Sequence, residues 1–71
     1  METLTFTIEG PYIELIALLK ATGIAQTGGH AKMIVDDGEV IRNGETELRK
    51  RAKLIPGDTI EIGGEIRIEL S

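Results

Sequence analysis

The chain has 71 residues, no cysteine and a formal net charge of -4 at pH 7. That length suits one domain across residues 1–71 with a single core, and the lack of cysteine excludes a disulfide framework or a thiolate metal site. An acidic total argues, as a sum, against a polyanionic partner, so any such partner must be read from where the charges lie.

In chain order, Leu4, Phe6 and Ile8 alternate with Thr3, Thr5 and Thr7, a period of two that predicts a strand over 3–8 with one buried face. Gly10-Pro11 stops it. Tyr12, Leu15, Ile16 and Leu19 then recur at helical spacing until Gly23, which predicts a first helix over 11–22 with Pro11 in its first turn. Ile13 and Leu18 widen its apolar face, as expected of a helix packed on more than one side. Thr27 is a candidate N-cap for a second helix over 28–37, with core positions Ala31, Ile34 and Val35 and Gly38 as its stop. Val40-Ile41-Arg42 followed by Asn43-Gly44 predicts a hairpin, because both turn residues tolerate positive φ. Pro56-Gly57-Asp58 marks another turn. Ile60 and Ile62, then Gly63-Gly64, then Ile66, Ile68 and Leu70 predict a second hairpin. The class is α+β: an N-terminal strand, two packed helices and a small antiparallel sheet of about four short strands.

Two constellations carry chemistry. Thr27-Gly28-Gly29-His30-Ala31-Lys32 puts two glycines at the opening of the second helix, where free amides and the helix dipole favour an anion and Lys32 lies within one turn. The alternative is that Gly28 and Gly29 only shape the interhelical turn, while Lys32 pairs with Asp36 at i+4. The second constellation holds four of the eight basic residues within five positions, Arg49, Lys50, Arg51 and Lys53, whereas Glu61, Glu65 and Glu69 gather toward the C-terminus. An extended chain would put Arg49, Arg51 and Lys53 on one face. Such clustering in an acidic protein favours a phosphate-binding patch over a merely solvated loop. Phe6 and Tyr12 are the only aromatics and both fall on predicted core faces, so recognition through shape and backbone is expected rather than base stacking.

Catalysis and metal binding are not expected. The chain offers one histidine, His30, one serine, at position 71, and no cysteine, so a nucleophile with an orienting base cannot be assembled and metal-ligand spacing is missing. No cofactor is implied.

Taken together, the helix 15–23, the glycine-opened segment 27–38 with its Ala31-Lys32 pair, Val40 to Gly44, and Gly57-Asp58 with Ile60 resemble the RNA-binding domain named after ribosomal small-subunit protein S-four, its alpha-L motif. The resemblance covers about residues 12–70 and is greatest to the short stand-alone bacterial members. It implies a helix pair packed on a small sheet, with structured RNA, ribosomal or transfer, bound along the second helix and the neighbouring basic loop. The resemblance places Thr27, His30 and Lys32 on the RNA-facing helix, with Arg49, Lys50, Arg51 and Lys53 beside it, and the anion-favouring amides of Gly28 and Gly29 read above fall on the same surface. Two departures stand out: Gly28 occupies the position where many members carry arginine, and Tyr12-Ile13-Glu14 replaces the usual Arg-Leu-Asp opening of the first helix.

Two other function classes compete with that reading. A ubiquitin-like or sulfur-carrier module would need a C-terminal Gly-Gly, whereas the sequence given ends Ile68-Glu69-Leu70-Ser71. A small adaptor could use the acidic sheet face to meet a protein partner or the ribosome, alone or alongside RNA. Met1-Glu2-Thr3 does not resemble a secretory signal and Glu14 interrupts the richest apolar stretch, so a cytoplasmic monomer with no membrane partner is expected.

Overall fold

The alternating threonines at the start of the chain form strand β1 (Glu2–Phe6) in the computed structural model, which describes residues 1–71. Leu4 and Phe6 turn inward while Thr3 and Thr5 stay in solvent. The chain then continues through β2 (Ile13–Glu14), α1 (Leu15–Ala21), α2 (Gly28–Asp36), β3 (Val40–Arg42), β4 (Glu45–Thr46), β5 (Lys53–Leu54), β6 (Thr59–Ile62) and β7 (Ile66–Leu70). The α+β class is as expected from the sequence.

Five strands form one sheet in the order β1-β7-β6-β3-β4, and β2 pairs with β5 as a separate two-stranded ribbon. The sheet is mixed rather than antiparallel throughout, because β1 lies parallel to β7, with Leu4 opposite Ile68. Parallel neighbours need a long connection, and every other element of the chain lies between these two. Both expected hairpins are present. Asn43 (φ 51) and Gly44 (φ 88) turn β3 into β4, and Gly63 and Gly64, with φ of 60 and 69, help turn β6 into β7.

The first helix is shorter than its periodicity predicts. Ile13 and Glu14 are extended and pair with Leu54 and Lys53, so α1 begins at Leu15, whose N–H donates to Ala52 O at 3.0 Å. Pairing with a distant segment overrides the local helical pattern, and Pro11 sits in the preceding loop. Tyr12 is consequently displaced from the core face expected of it and is 39% exposed.

Fifteen buried apolar residues form one cluster that joins the layers. Leu15, Leu18 and Leu19 from α1 and Ala31, Ile34 and Val35 from α2 meet Val40, Ile60, Ile62, Ile68 and Leu70 from the sheet. Ala52 and Leu54 join the same core, which fixes the loop between β4 and β5 from beneath. On the outer sheet face Arg67 pairs with the directly opposite Glu61 at 3.0 Å, so that face is mixed in charge rather than purely acidic. No helix is long and apolar enough to cross a membrane.

Candidate nucleic-acid interface

Helix α2 starts as its sequence predicts. Thr27 has extended backbone and its Oγ1 accepts the His30 N–H at 3.0 Å, while Thr27 O takes the Ala31 N–H at 3.0 Å. The amides of Gly28 and Gly29 precede the helical ladder and find no acceptor within the protein. His30 Nδ1 accepts the Gln26 N–H at 3.3 Å. Neither glycine has positive φ, and a Cβ added to Gly28 would meet nothing within 4 Å. The left-handed position in the connection belongs to Gly23 (φ 78), so turn geometry does not account for Gly28 and Gly29.

Lys32 is exposed one turn along α2. It does not pair with Asp36; that carboxylate instead accepts Lys50 Nζ at 3.0 Å. The ion pair ties the far end of α2 to the basic loop, about 12 Å along the helix axis from the glycine-opened end.

The basic segment is not an extended strand throughout. Ala52 N–H donates to Arg49 O at 3.2 Å, closing a turn through Lys50 and Arg51 before β5 begins. The turn sends Lys50 toward Asp36 and leaves Arg49, Arg51 and Lys53 around an open basin of about 430 Å³, completed by Arg42 and floored by Ala52. Arg49 and Arg51 keep 75% and 82% of their side chains in solvent.

Each cation also has a partner within the fold. Glu47 accepts Arg49 Nε at 3.0 Å and Nη2 at 3.1 Å, Glu14 accepts Arg51 Nε at 3.1 Å, and Lys53 Nζ stands 5.1 Å from the centre of the Tyr12 ring. The hydrogen bond from the Arg49 side chain lowers the Glu47 pKa to about 2 against the opposing effect of burial, with the Arg49 N–H and Arg42 adding to it. Glu47 in turn raises Arg49. The like charges are therefore relieved in part by carboxylates of the protein itself. Long-range attraction is weaker than the cation count suggests, while the outward N–H groups of Arg49 and Arg51 remain available for short-range donation.

A family model for the S4 domain matches residues 6–69. The chain belongs to the S4 domain family. It is 38% identical over 61 residues to YbcJ of Escherichia coli (strain K12), which is named as an RNA-binding protein, covering 84% of this chain and 87% of that one. It is also 38% identical over 58 residues to RlbA of Bacillus subtilis (strain 168), named a probable ribosome maturation protein, with 82% of each covered. The solution structure of YbcJ superposes with a TM-score of 0.65 at 33% identity over 97% of this chain and 87% of that chain, and is described as revealing an alpha-L motif involved in RNA binding.

Within this S4 domain, one basin residue, Arg42, and one neighbour of the basin, Tyr12, escape a reading of the sequence. Arg42 shares the inward parity of Val40 and looks like a core position, yet its side chain is 20% exposed and reaches the basin wall. Its Nη2 donates to Lys53 O at 3.0 Å and to Asp58 Oδ2 at 2.9 Å. Tyr12 was hidden by the helical periodicity of its neighbours. Burial raises the pKa of Asp58, but the Ile55 N–H, Asn43 Nδ2 and the Arg42 guanidinium outweigh it and hold the carboxyl below its ordinary value.

Proposed function

We propose that this chain is a non-catalytic, cytoplasmic RNA-binding protein that grips structured RNA, of the ribosomal or transfer class, through its phosphate backbone. The observation that carries this reading is the convergence of Arg42, Arg49, Arg51 and Lys53 on one open basin. Guanidinium forks with outward N–H groups suit phosphate oxygens, and Arg42, locked by Asp58, provides a fixed edge. Membership of the S4 domain family and the names of YbcJ and RlbA point the same way. The exposed Thr27 to Lys32 end of α2 adds free amides and a lysine. The reading leaves chemistry out because His30, the lone histidine, spends Nδ1 on the Gln26 N–H beside glycines and a lysine, with no nucleophile to activate. Titration of a folded ribosomal or transfer RNA fragment at several salt concentrations tests it. Binding that weakens as salt rises is expected, and absence of binding at low salt overturns the reading.

A second reading, a protein partner on the same molecule, is favoured by Met33 and Leu48, which are 63% and 61% exposed. Each lies within three residues of the Asp36–Lys50 ion pair that joins α2 to the loop.

A further inference from the structure

Beside the basic basin lies a second depression of about 370 Å³, lined by Phe6, Thr7, Glu9, Tyr12 and Ile13. We propose that it receives one unpaired guanine base of the bound RNA, an inference that rests on the RNA-binding reading above and extends it from backbone to base recognition.

Position is the first reason. The pairing of β2 with β5 sets Glu14 opposite Lys53, and Lys53 belongs to both places: it lines the basin and its ammonium stands over Tyr12. A nucleotide whose phosphate meets Lys53 therefore has its base within reach of the Tyr12 ring. The depression lies within the size range of small-ligand sites, roughly 300 to 1,000 Å³.

The lining is the second reason. Tyr12 is 39% exposed and Phe6 is half-buried, so the chain's two aromatics share one wall that water reaches. An aromatic face at the edge of a phosphate site is the arrangement by which proteins hold splayed-out RNA bases.

Glu9 sets the identity of the base. Its exposed carboxylate takes part in none of the chain's ion pairs, and a carboxylate repels phosphate, so the occupant must bring N–H donors. Guanine carries two adjacent N–H donors on its pairing edge, N1–H and the N2 amino group, which match the two oxygens of a carboxylate. Adenine and cytosine set a ring-nitrogen acceptor beside their amino group, and uracil flanks its single N–H with two carbonyls; each would turn an acceptor toward Glu9. Stacking on Tyr12 and donation to Glu9 thus select guanine.

The test uses the full chain and three versions of one RNA hairpin: fully paired, with a single unpaired guanosine, and with a single unpaired adenosine at the same place. The parent is expected to bind the guanosine form about tenfold more tightly than the paired form, with adenosine in between. Glu9→Gln should erase the preference for guanosine over adenosine, and Tyr12→Ala should erase the advantage of either unpaired base, each read as a ratio to the same variant's affinity for the paired hairpin. Tyr12→Phe should behave as the parent. Should Tyr12→Ala fail to fold, Glu9→Gln decides. Equal parental affinity for the paired and guanosine forms, or a guanosine preference intact in Glu9→Gln, overturns the base site and leaves the backbone reading standing. Failure of the parent to bind any of the three overturns both.

Discussion

Arg42 and Asp58 form a two-pronged contact in which Nη2 and Nε donate to the same oxygen, Oδ2, at 2.9 and 3.2 Å. Asp58 accepts two more hydrogen bonds, from the Ile55 N–H at 3.0 Å and from Asn43 Nδ2 at 2.9 Å. One carboxylate therefore joins the β3–β4 turn to the turn before β6 and holds the inner edge of the basic basin. Asp58→Ala would take from the mostly buried Arg42 guanidinium its shortest carboxylate contact, leaving it Glu47 at 3.4 Å and Lys53 O at 3.0 Å, and would strip the Ile55 N–H and Asn43 Nδ2 of their acceptor; it is expected to lower stability by about 2–4 kcal/mol. Asp58→Asn keeps the shape but sets an amide N–H against donors, and should cost about 2 kcal/mol. Urea denaturation of both variants checks this; a loss below about 0.5 kcal/mol in Asp58→Asn would show that the contact does not hold the turns together.

Glu47 makes stability depend on pH. Its folded pKa of about 2 lies below the ordinary 4.5, and Asp58 is shifted in the same downward direction. For a carboxyl depressed on folding, the stabilisation is fully present above the unfolded value and fades as pH falls toward the folded one. Denaturation midpoints are thus expected to drop as pH falls from about 4.5 toward 2. Glu47→Gln should cost about 1–3 kcal/mol at neutral pH and flatten that decline. A variant whose midpoint falls as steeply as the parent's over this range would remove Glu47 as the cause.

How much of this was legible in the sequence varies with how local the signal is. Thr27 as N-cap, the Asn43-Gly44 turn and the alternation in β6 and β7 depend on neighbours two to four residues away, and all three appear as read. The start of α1 was misread because Ile13 and Glu14 answer to Lys53 and Leu54, forty residues on. The same long-range pairing brings Tyr12 to the surface. Arg49, Arg51 and Lys53 line one basin, but a turn gathers them where the sequence suggested an extended strand, and it sends Lys50 to Asp36. Arg42 gave no sign, since an arginine at an inward parity is indistinguishable in sequence from one that breaks a strand; its position is made tolerable by distant partners, Asp58 sixteen residues later together with Glu47 and Lys53 O.

The basin cations should separate binding from stability. Arg51 and Lys53 are exposed, and replacing both with alanine is expected to change stability by less than about 1 kcal/mol. RNA affinity should fall at least about tenfold, and the slope of log affinity against log salt should drop by about 2, close to one for each cation removed. Adding Arg49→Ala should weaken binding further, this time with measurable destabilisation, because Glu47 then loses its main partner. Titration at several salt concentrations beside thermal melts tests the set; a double variant with parental affinity and slope would show that the basin does not touch phosphate.

The glycines that open α2 set stability against binding at a single position. Gly29 has no positive φ, and a Cβ there would meet only Thr27 Oγ1, at an ordinary 3.9 Å. Gly29→Ala therefore removes the backbone freedom of glycine without strain and should raise stability by about 0.5–1 kcal/mol. A phosphate approaching the free amides of Gly28 and Gly29 would meet the added methyl group, so RNA binding should weaken mildly. Gly29→Asp goes further in both respects. Its carboxylate sits at the positive end of the helix, where it stabilises the fold and competes for the same amides, so melting should stay level or rise while affinity falls at least about tenfold. Paired melting and binding measurements on the two variants check this. Gly29→Ala that loses stability would show that the helix opening is less regular than its dihedrals imply. Gly29→Asp with full RNA affinity would take the N-terminus of α2 out of the interface and leave the basin around Arg49, Arg51 and Lys53 as the whole of it.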